Sequence, residues 1–152
     1  MAKKHASANP ALEPLQPLVG AWRSKIRWSE ETHKLVGEPA LVRGRVSFEW
    51  REDGHFLIQR MGDAARWLIG RDDTSKLYGV LYADSRGVSR LYEMSLRNGV
   101  WKMWREARGF HQRFTGSFSR DGRTIKASWQ RSVDGARWQH DSDVIYTKTK
   151  WE

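Results

Sequence analysis

Residues 88–106 read VSRLYEMSLRNGVWKMWRE, two alternating runs of apolar and polar side chains joined by Asn98-Gly99. Alternation with a period of two is typical of a strand with one buried face, and Asn-Gly supplies the positive φ angles of a tight hairpin. Asp-Gly pairs at residues 53–54, 121–122 and 134–135 mark further hairpins. The chain is therefore predicted to form antiparallel strands whose neighbours in sequence are neighbours in space.

The same pattern predicts ten strands from residue 22 onward. They cover residues 22–28, 41–50, 56–61, 66–70, 76–82, 88–96, 100–106, 110–119, 124–131 and 137–148. A meander of this length usually closes on itself, because closure removes the two unpaired edges. We therefore predict an all-β fold, a single ten-stranded antiparallel meander barrel.

Two segments precede the first strand. Residues 12–19 carry leucines and are punctuated by prolines, which predicts a short N-terminal helical turn that closes one end of the barrel. Residues 1–11 are predicted to be a disordered N-terminal segment. The barrel domain then spans residues 12–150.

The composition restricts the chemistry. The chain of 152 residues contains no cysteine, which excludes disulfides, thiolate metal sites, iron–sulfur clusters and a cysteine nucleophile. Absence of cysteine suits a reducing compartment, so we expect a cytoplasmic protein. Neither a secretory signal nor an apolar run long enough to span a membrane is recognised.

Alternation places both aromatic and polar side chains inside the barrel. Because buried charges need partners, water or a ligand, this mixture favours a cavity that holds a small hydrophobic or amphipathic molecule. The predicted ligand-binding residues are His140, Arg90, Tyr92, Gln112, Trp129, Tyr82, Phe114, Trp138 and Tyr146. Oligomeric state stays open between monomer and homodimer.

Arg90, Tyr92 and Gln112 form a candidate donor cluster for a carboxylate or carbonyl. The alternative is a structural ion pair of Arg90 with Asp84 or Glu106. Catalysis is left open, and a cyclase or isomerase would use Tyr92 or Arg90 to polarise a carbonyl and His140 as the acid or base. His140 has a simpler alternative as a hydrogen-bonded core histidine.

Four stretches carry a family resemblance: LVGAW at 18–22, DSRGVSRLYEM at 84–94, QRFTGSFS at 112–119 and WQHD at 138–141. They resemble a bacterial family of lipocalin-like, calycin-type barrels, over nearly everything after residue 12. The resemblance implies a barrel of lipocalin or fatty-acid-binding-protein shape and supplies no reaction.

A more distant resemblance concerns haem. The Gly-x-Trp of residues 20–22 and a histidine on the last strand are similar to nitrobindins, ten-stranded barrels that bind haem through a histidine near the C-terminus. This resemblance implies that His140 is the haem ligand and that Trp129 and Tyr92 lie in the pocket wall. Apart from a haem at His140, no metal site is predicted. Residues 24, 26 and 28 replace the alternating glycines of nitrobindins, so we expect no cofactor and keep haem as the alternative.

The formal net charge is +9. Residues 86–131 contain 11 basic and 3 acidic side chains, a net +8, and they span the predicted strands six to nine. Their outward face would attract anions or nucleic acid, or would simply be a solvated surface. We favour the solvated surface.

Overall fold

The structure, a computed structural model, describes residues 9–37 and 39–150. Within those ranges it contains ten strands: β1 Gly20–Trp28, β2 Leu41–Arg51, β3 Phe56–Met61, β4 Ala65–Arg71, β5 Tyr78–Asp84, β6 Ser89–Arg97, β7 Val100–Arg105, β8 His111–Phe118, β9 Thr124–Ser132 and β10 Gln139–Thr149. Each corresponds to one predicted run, so the predicted all-β fold is confirmed.

The sheet is a closed antiparallel barrel in which each strand pairs with its neighbours in sequence. Closure comes from β1, which pairs with both β2 and β10: Trp22 lies opposite Val46 on one side and Lys148 on the other. The predicted hairpin at Asn98 and Gly99 has positive φ at both residues, 52° and 74°. The meander therefore has no free edge.

One end of the barrel is closed by a 3₁₀ helix, Pro10–Leu18. Its three leucines, Leu12, Leu15 and Leu18, are buried against the barrel core. Its backbone is also tied to the wall, since Trp22 Nε1 donates to the carbonyl of Leu18 at 2.8 Å and Tyr78 Oη to that of Ala11 at 2.9 Å. The predicted helical turn is thus present. Of the segment predicted to be disordered, residues 1–8 lie outside the described residues.

A second helix, α1 (Glu30–Val36), follows β1 at the opposite end. Ser29 caps its first turn by accepting a hydrogen bond from the Thr32 amide, and Gly37 ends it with φ of 68°. Thr32 is buried, whereas Leu35 is 71% exposed. The helix therefore covers one side of this end of the barrel. We call this end, opposite the 3₁₀ helix, the mouth.

We call the 3₁₀ helix the plug. The half of the interior next to it is a packed aromatic core. The ring of Trp101, fully buried, lies 4.6 Å from that of Phe114 and 5.9 Å from those of Phe48 and Tyr146. Side chains, rather than a deep cavity, fill this half. No helix in the described part of the chain is long and apolar enough to cross a bilayer.

Candidate functional site

Four aromatic rings line the interior just below the mouth, and we call them the aromatic floor: Trp67, Tyr82, Tyr92 and Trp129. The centroid of Trp67 lies 4.6 Å from that of Tyr82, 5.3 Å from Tyr92 and 6.0 Å from Trp129. Tyr82 and Trp129 are half-buried although they face inward. Part of the flat apolar surface of Tyr82 and Trp129 is therefore accessible to solvent.

Three arginines, Arg90, Arg105 and Arg131, surround this floor, and we call them the mouth arginines. They belong to β6, β7 and β9, at the ends of those strands nearest α1. The Arg90 guanidinium lies 5.7 Å from the Tyr82 ring centroid, and that of Arg105 lies 5.9 Å from the Tyr92 ring. Cationic side chains therefore lie directly beside the aromatic floor.

The strand register places Gln112 between two of these arginines. Gln112 on β8 is opposite Arg105 on one side and opposite Arg131 on the other. Its amide oxygen accepts a hydrogen bond of 2.5 Å from the Tyr92 hydroxyl. The row Arg105, Gln112 and Arg131 thus carries hydrogen-bond donors across three adjacent strands.

Arg131 has an acidic partner inside the mouth. Its Nε lies 3.3 Å from Oδ1 of Asp141, which also accepts a hydrogen bond of 2.8 Å from the Thr32 hydroxyl. Alternation along the last strand, with His140 assigned inward, predicts that Asp141 faces outward, but Asp141 is 8% exposed, so that prediction is wrong. The contact joins α1 to β9 and β10 and fixes the helix at the mouth.

Two of the mouth arginines keep a buried donor without an acceptor among the described residues. These donors are Nε of Arg105 and Nη2 of Arg131. The Arg131 Nη2 is also 4.0 Å from the Glu31 carboxylate on α1, too far for a hydrogen bond. Buried polar groups are normally satisfied, so each of these two donors can take an acceptor that the described residues do not supply.

The tyrosines of the site are neutral hydrogen-bond donors near neutral pH. Burial, with a hydrogen bond to Asp84, raises the pKa of Tyr82 to about 12, and burial raises the pKa of Tyr92 above its ordinary value. A hydrogen bond from Arg86, with one from Tyr82, keeps the pKa of Asp84 well below its usual range. The ion pair of Asp84 is with Arg86, at 2.6 Å, and none of the ion pairs found among the described residues joins Asp84 to Arg90.

The structure brings six of the nine predicted site residues together. Tyr82, Arg90, Tyr92, Gln112, Phe114 and Trp129 all lie at or just below the mouth. Tyr146 faces inward as predicted but lies deeper, against Trp101, and burial raises its pKa.

The predicted inward positions of His140 and Trp138 are wrong. The register of β10 against β9 shifts between His140 and Ser142, and this bulge turns the residues before it to the outer face. His140 is exposed there, with Nε2 3.0 Å from Asp143 Oδ1, and the Arg113 guanidinium lies over the Trp138 ring at 4.1 Å. Neither side chain contacts the floor.

The outward position of His140 bears on haem and on catalysis. The residues do not fit a haem bound in the interior through His140, because its ring nitrogen is on the outer wall. The other described histidines lie on α1 (His33), in a turn (His55) and on the outer face of β8 (His111). The same position removes His140 as the acid or base of a reaction inside the barrel.

Four residues of this candidate site were not predicted from the sequence: Trp67, Arg105, Asp141 and Thr32. Alternation along β4 and β7 would have placed Trp67 and Arg105 inside, because Ile69 and Met103 two residues away are apolar. No such signal marks Asp141, whose facing depends on the bulge, or Thr32, which lies in a helix that the sequence analysis did not predict.

The fold and the site together define a closed ten-stranded antiparallel barrel with an aromatic, arginine-lined mouth. Among solved structures, the chain is similar to the crystal structure of Rv2717c from M. tuberculosis, with a TM-score of 0.59 and 15% sequence identity over 93% of this chain and 99% of that chain. No protein-family model and no curated protein matches the chain. At this level of identity the likeness shows the fold alone, and the lipocalin and nitrobindin resemblances stay predictions.

Proposed function

We propose that the barrel binds a small amphipathic anion at its mouth, with a flat apolar body on the aromatic floor and a carboxylate, sulfonate or phosphate at the mouth arginines. Such a ligand is one particular kind of the small hydrophobic or amphipathic molecule expected from the sequence. It makes no assignment of a reaction.

The observation that carries the proposal is the pair of unsatisfied donors on Arg105 and Arg131. A buried charged donor without an acceptor loses the hydration that it had in the unfolded chain, and this is costly. The oxygens of an anionic group would satisfy both donors, because a guanidinium matches the geometry of such groups. The amide nitrogen of Gln112 lies between them as a third donor, since its oxygen is taken by Tyr92.

The charge at the mouth supports an anion rather than a neutral ligand. The mouth has three arginines but only one buried carboxylate, Asp141, with the more distant Glu31 at the rim. Attraction between an anion and an arginine is stronger in a partly buried site than in open water. An anionic group entering the mouth would offset the excess of positive charge.

The aromatic floor supports a flat apolar body of limited size. Trp129 and Tyr82 keep part of their ring surface exposed, and their burial by a ligand is favourable. Below the floor, Phe114 contacts both Trp129 and Trp101, so the path to the plug is filled. The ligand therefore rests near the rim, partly covered by α1.

Anilinonaphthalene sulfonate is a suitable probe because it combines an aromatic body with one sulfonate. We expect Arg105→Met to weaken its binding about tenfold, since a charge-assisted hydrogen bond contributes roughly 1.5–3 kcal/mol. Arg113→Met on the outer face of β8 removes the same charge and is the matched control. The melting temperature of each variant shows that the fold is intact.

A second variant tests the floor separately. Trp129→Leu removes stacking surface and leaves the mouth arginines in place, so the probe should bind more weakly and with a smaller fluorescence increase. Equal affinities of the wild type, Arg105→Met and Trp129→Leu for the probe would contradict the proposal.

A further inference from the structure

The outer face of β1 to β4 concentrates basic side chains that have no part in the mouth. Along β1 the residues that alternate with the buried Trp22 and Ser24 point outward, and they are Arg23, Lys25 and Arg27. Neighbouring strands add further outward basic residues: Arg43 and Arg45 on β2, Arg60 on β3 and Arg66 on β4. They form one continuous basic surface on the barrel wall.

In the strand register, three pairs of like charges lie directly opposite each other on this surface. The opposed pairs are Arg23 with Arg45, Lys25 with Arg43, and Arg60 with Arg66. Like charges in direct cross-strand pairs destabilise a sheet, and here three such pairs occur on four adjacent strands. An arrangement that costs stability indicates a use for the concentrated charge.

Nearby carboxylates offset this charge only in part. Glu49 lies 3.8 Å from Nε of Arg60, and Asp63 lies 4.0 Å from Arg66. Both contacts are at long distance, and exposed ion pairs contribute little. Asp143 on β10 also lies opposite Arg27. Among the described residues, the seven basic side chains of this surface still outnumber these three carboxylates.

Part of the surface is concave. A groove of about 390 Å³ lies between Arg23, Arg45, Arg60 and Arg66, and its lining also includes Lys150 and one carboxylate, Asp63. Ala21 and Ser47, which pair with each other, line it together with Gly62, whose Cβ position meets no atom within 4 Å. Small residues between long arginines leave room for a chain to lie among the guanidinium groups.

We propose that this groove binds the phosphate backbone of single-stranded nucleic acid. Guanidinium groups on two sides of a groove can each contact a phosphate in a bidentate manner. A flexible single strand can follow the curved wall, whereas a duplex is stiff over about 150 base pairs. An anionic bilayer is flat and fits the groove less well, and the most exposed apolar side chains, Leu35 and Leu91, are not among the residues that line it.

The test measures fluorescence anisotropy of a labelled oligothymidylate of about 15 nucleotides, between about 50 and 200 mM salt. The groove variant carries Arg23→Gln, Arg45→Gln, Arg60→Gln and Arg66→Gln. The matched control carries the same loss of charge on exposed residues of the opposite wall and its turns: Arg97→Gln, Lys102→Gln, Arg120→Gln and Lys126→Gln.

For the wild type we expect binding that weakens with salt, with a slope of log affinity against log salt of roughly −0.7 for each phosphate contacted. Four contacts give a slope of about −3. The groove variant should lose at least about tenfold in affinity at the lower salt concentration and most of this slope, while the control should lose much less.

With the oligonucleotide, any one of three results would overturn the proposal: no binding by the wild type at low salt, equal losses in the two variants, or binding that salt does not weaken. A parallel titration with phosphatidylserine vesicles covers the membrane alternative. The proposal would also be overturned if the wild type binds vesicles but no oligonucleotide and the groove variant loses the vesicle binding. If the fourfold variant does not fold, the double variants at Arg23/Arg45 and at Arg60/Arg66 replace it, and each should lose about half of the slope.

Discussion

Nε of Arg131 lies 3.3 Å from Oδ1 of Asp141 inside the mouth, and this contact exists because a bulge in β10 turns Asp141 inward. The same carboxylate accepts the Thr32 hydroxyl, so one side chain links α1, β9 and β10. The mouth therefore depends on a buried ionic contact as well as on aromatic packing.

Removal of this carboxylate should destabilise the protein. We expect Asp141→Ala to lower the free energy of unfolding by about 3 kcal/mol, because it leaves the partly buried Arg131 without its closest partner. Urea denaturation measures the change. Asp143→Ala, two residues along β10 and exposed, is the control, and a change of equal size in both variants would contradict this account of the mouth.

The leucines of the 3₁₀ helix should behave as core residues. Leu15 is fully buried, so Leu15→Ala is expected to cost roughly 2–5 kcal/mol of stability. Leu35→Ala on α1 removes the same atoms from a side chain that is 71% exposed and should cost little. Similar losses in the two variants would show that the helix is not a structural plug.

Stability should fall in alkaline solution. Burial raises the pKa of all four tyrosines, that of Tyr82 to about 12, so the folded protein keeps phenolic protons that the unfolded chain loses near pH 10. The stabilisation is complete below about pH 10 and is lost as the pH rises toward 12. Unfolding free energy against pH measures this, with Tyr146→Phe expected to reduce the slope. Phenolate absorbance that appears near pH 10 for every tyrosine in a folded sample would contradict it.

Relief of one like-charge pair should stabilise the barrel. We expect Lys25→Thr, opposite Arg43, to raise the free energy of unfolding by up to about 1 kcal/mol at low salt, with a smaller gain at high salt. Lys102→Thr is the control, because Lys102 lies opposite Ser95 and Thr115. If the control gains as much, general charge reduction rather than the opposed pair is responsible.

His140 should be dispensable for the mouth. It lies on the outer wall beside Asp143, so His140→Ala is expected to leave both probe binding and the absorption spectrum after addition of haemin unchanged. A haem absorption band that appears in the wild type and is lost in His140→Ala would contradict this placement.

Alternation and turn chemistry were enough to predict the barrel from the sequence. Turns such as Asn98-Gly99 fix the hairpins, and the period of two assigned Arg90, Tyr92 and Gln112 correctly to the interior. The bulge at residues 140–142 has no comparable signal, since no glycine or proline marks it, and it reverses the facing of His140. α1 was missed because its seven residues show no apolar periodicity.

The distribution of charge shows a second limit of prediction from the sequence. Net charge along the sequence pointed to residues 86–131, whereas opposed basic pairs occur on β1 to β4, which the sequence separates by loops. Only the register shows that Lys25 faces Arg43 and that Arg60 faces Arg66. The placement of the mouth arginines around one aromatic floor likewise depends on strands that are apart in sequence.

The most direct test of anion binding at the mouth is a titration of anilinonaphthalene sulfonate followed by the side-chain N–H resonances of arginine and tryptophan. If the anion binds at the mouth, Nε–H of Arg105 and the indole N–H of Trp129 should shift strongly, and Arg113 and Trp138 on the outer wall should not shift. Shifts confined to Arg113 and Trp138, or to Trp22 on β1 beside the plug, with the mouth resonances unchanged, would contradict anion binding at the mouth.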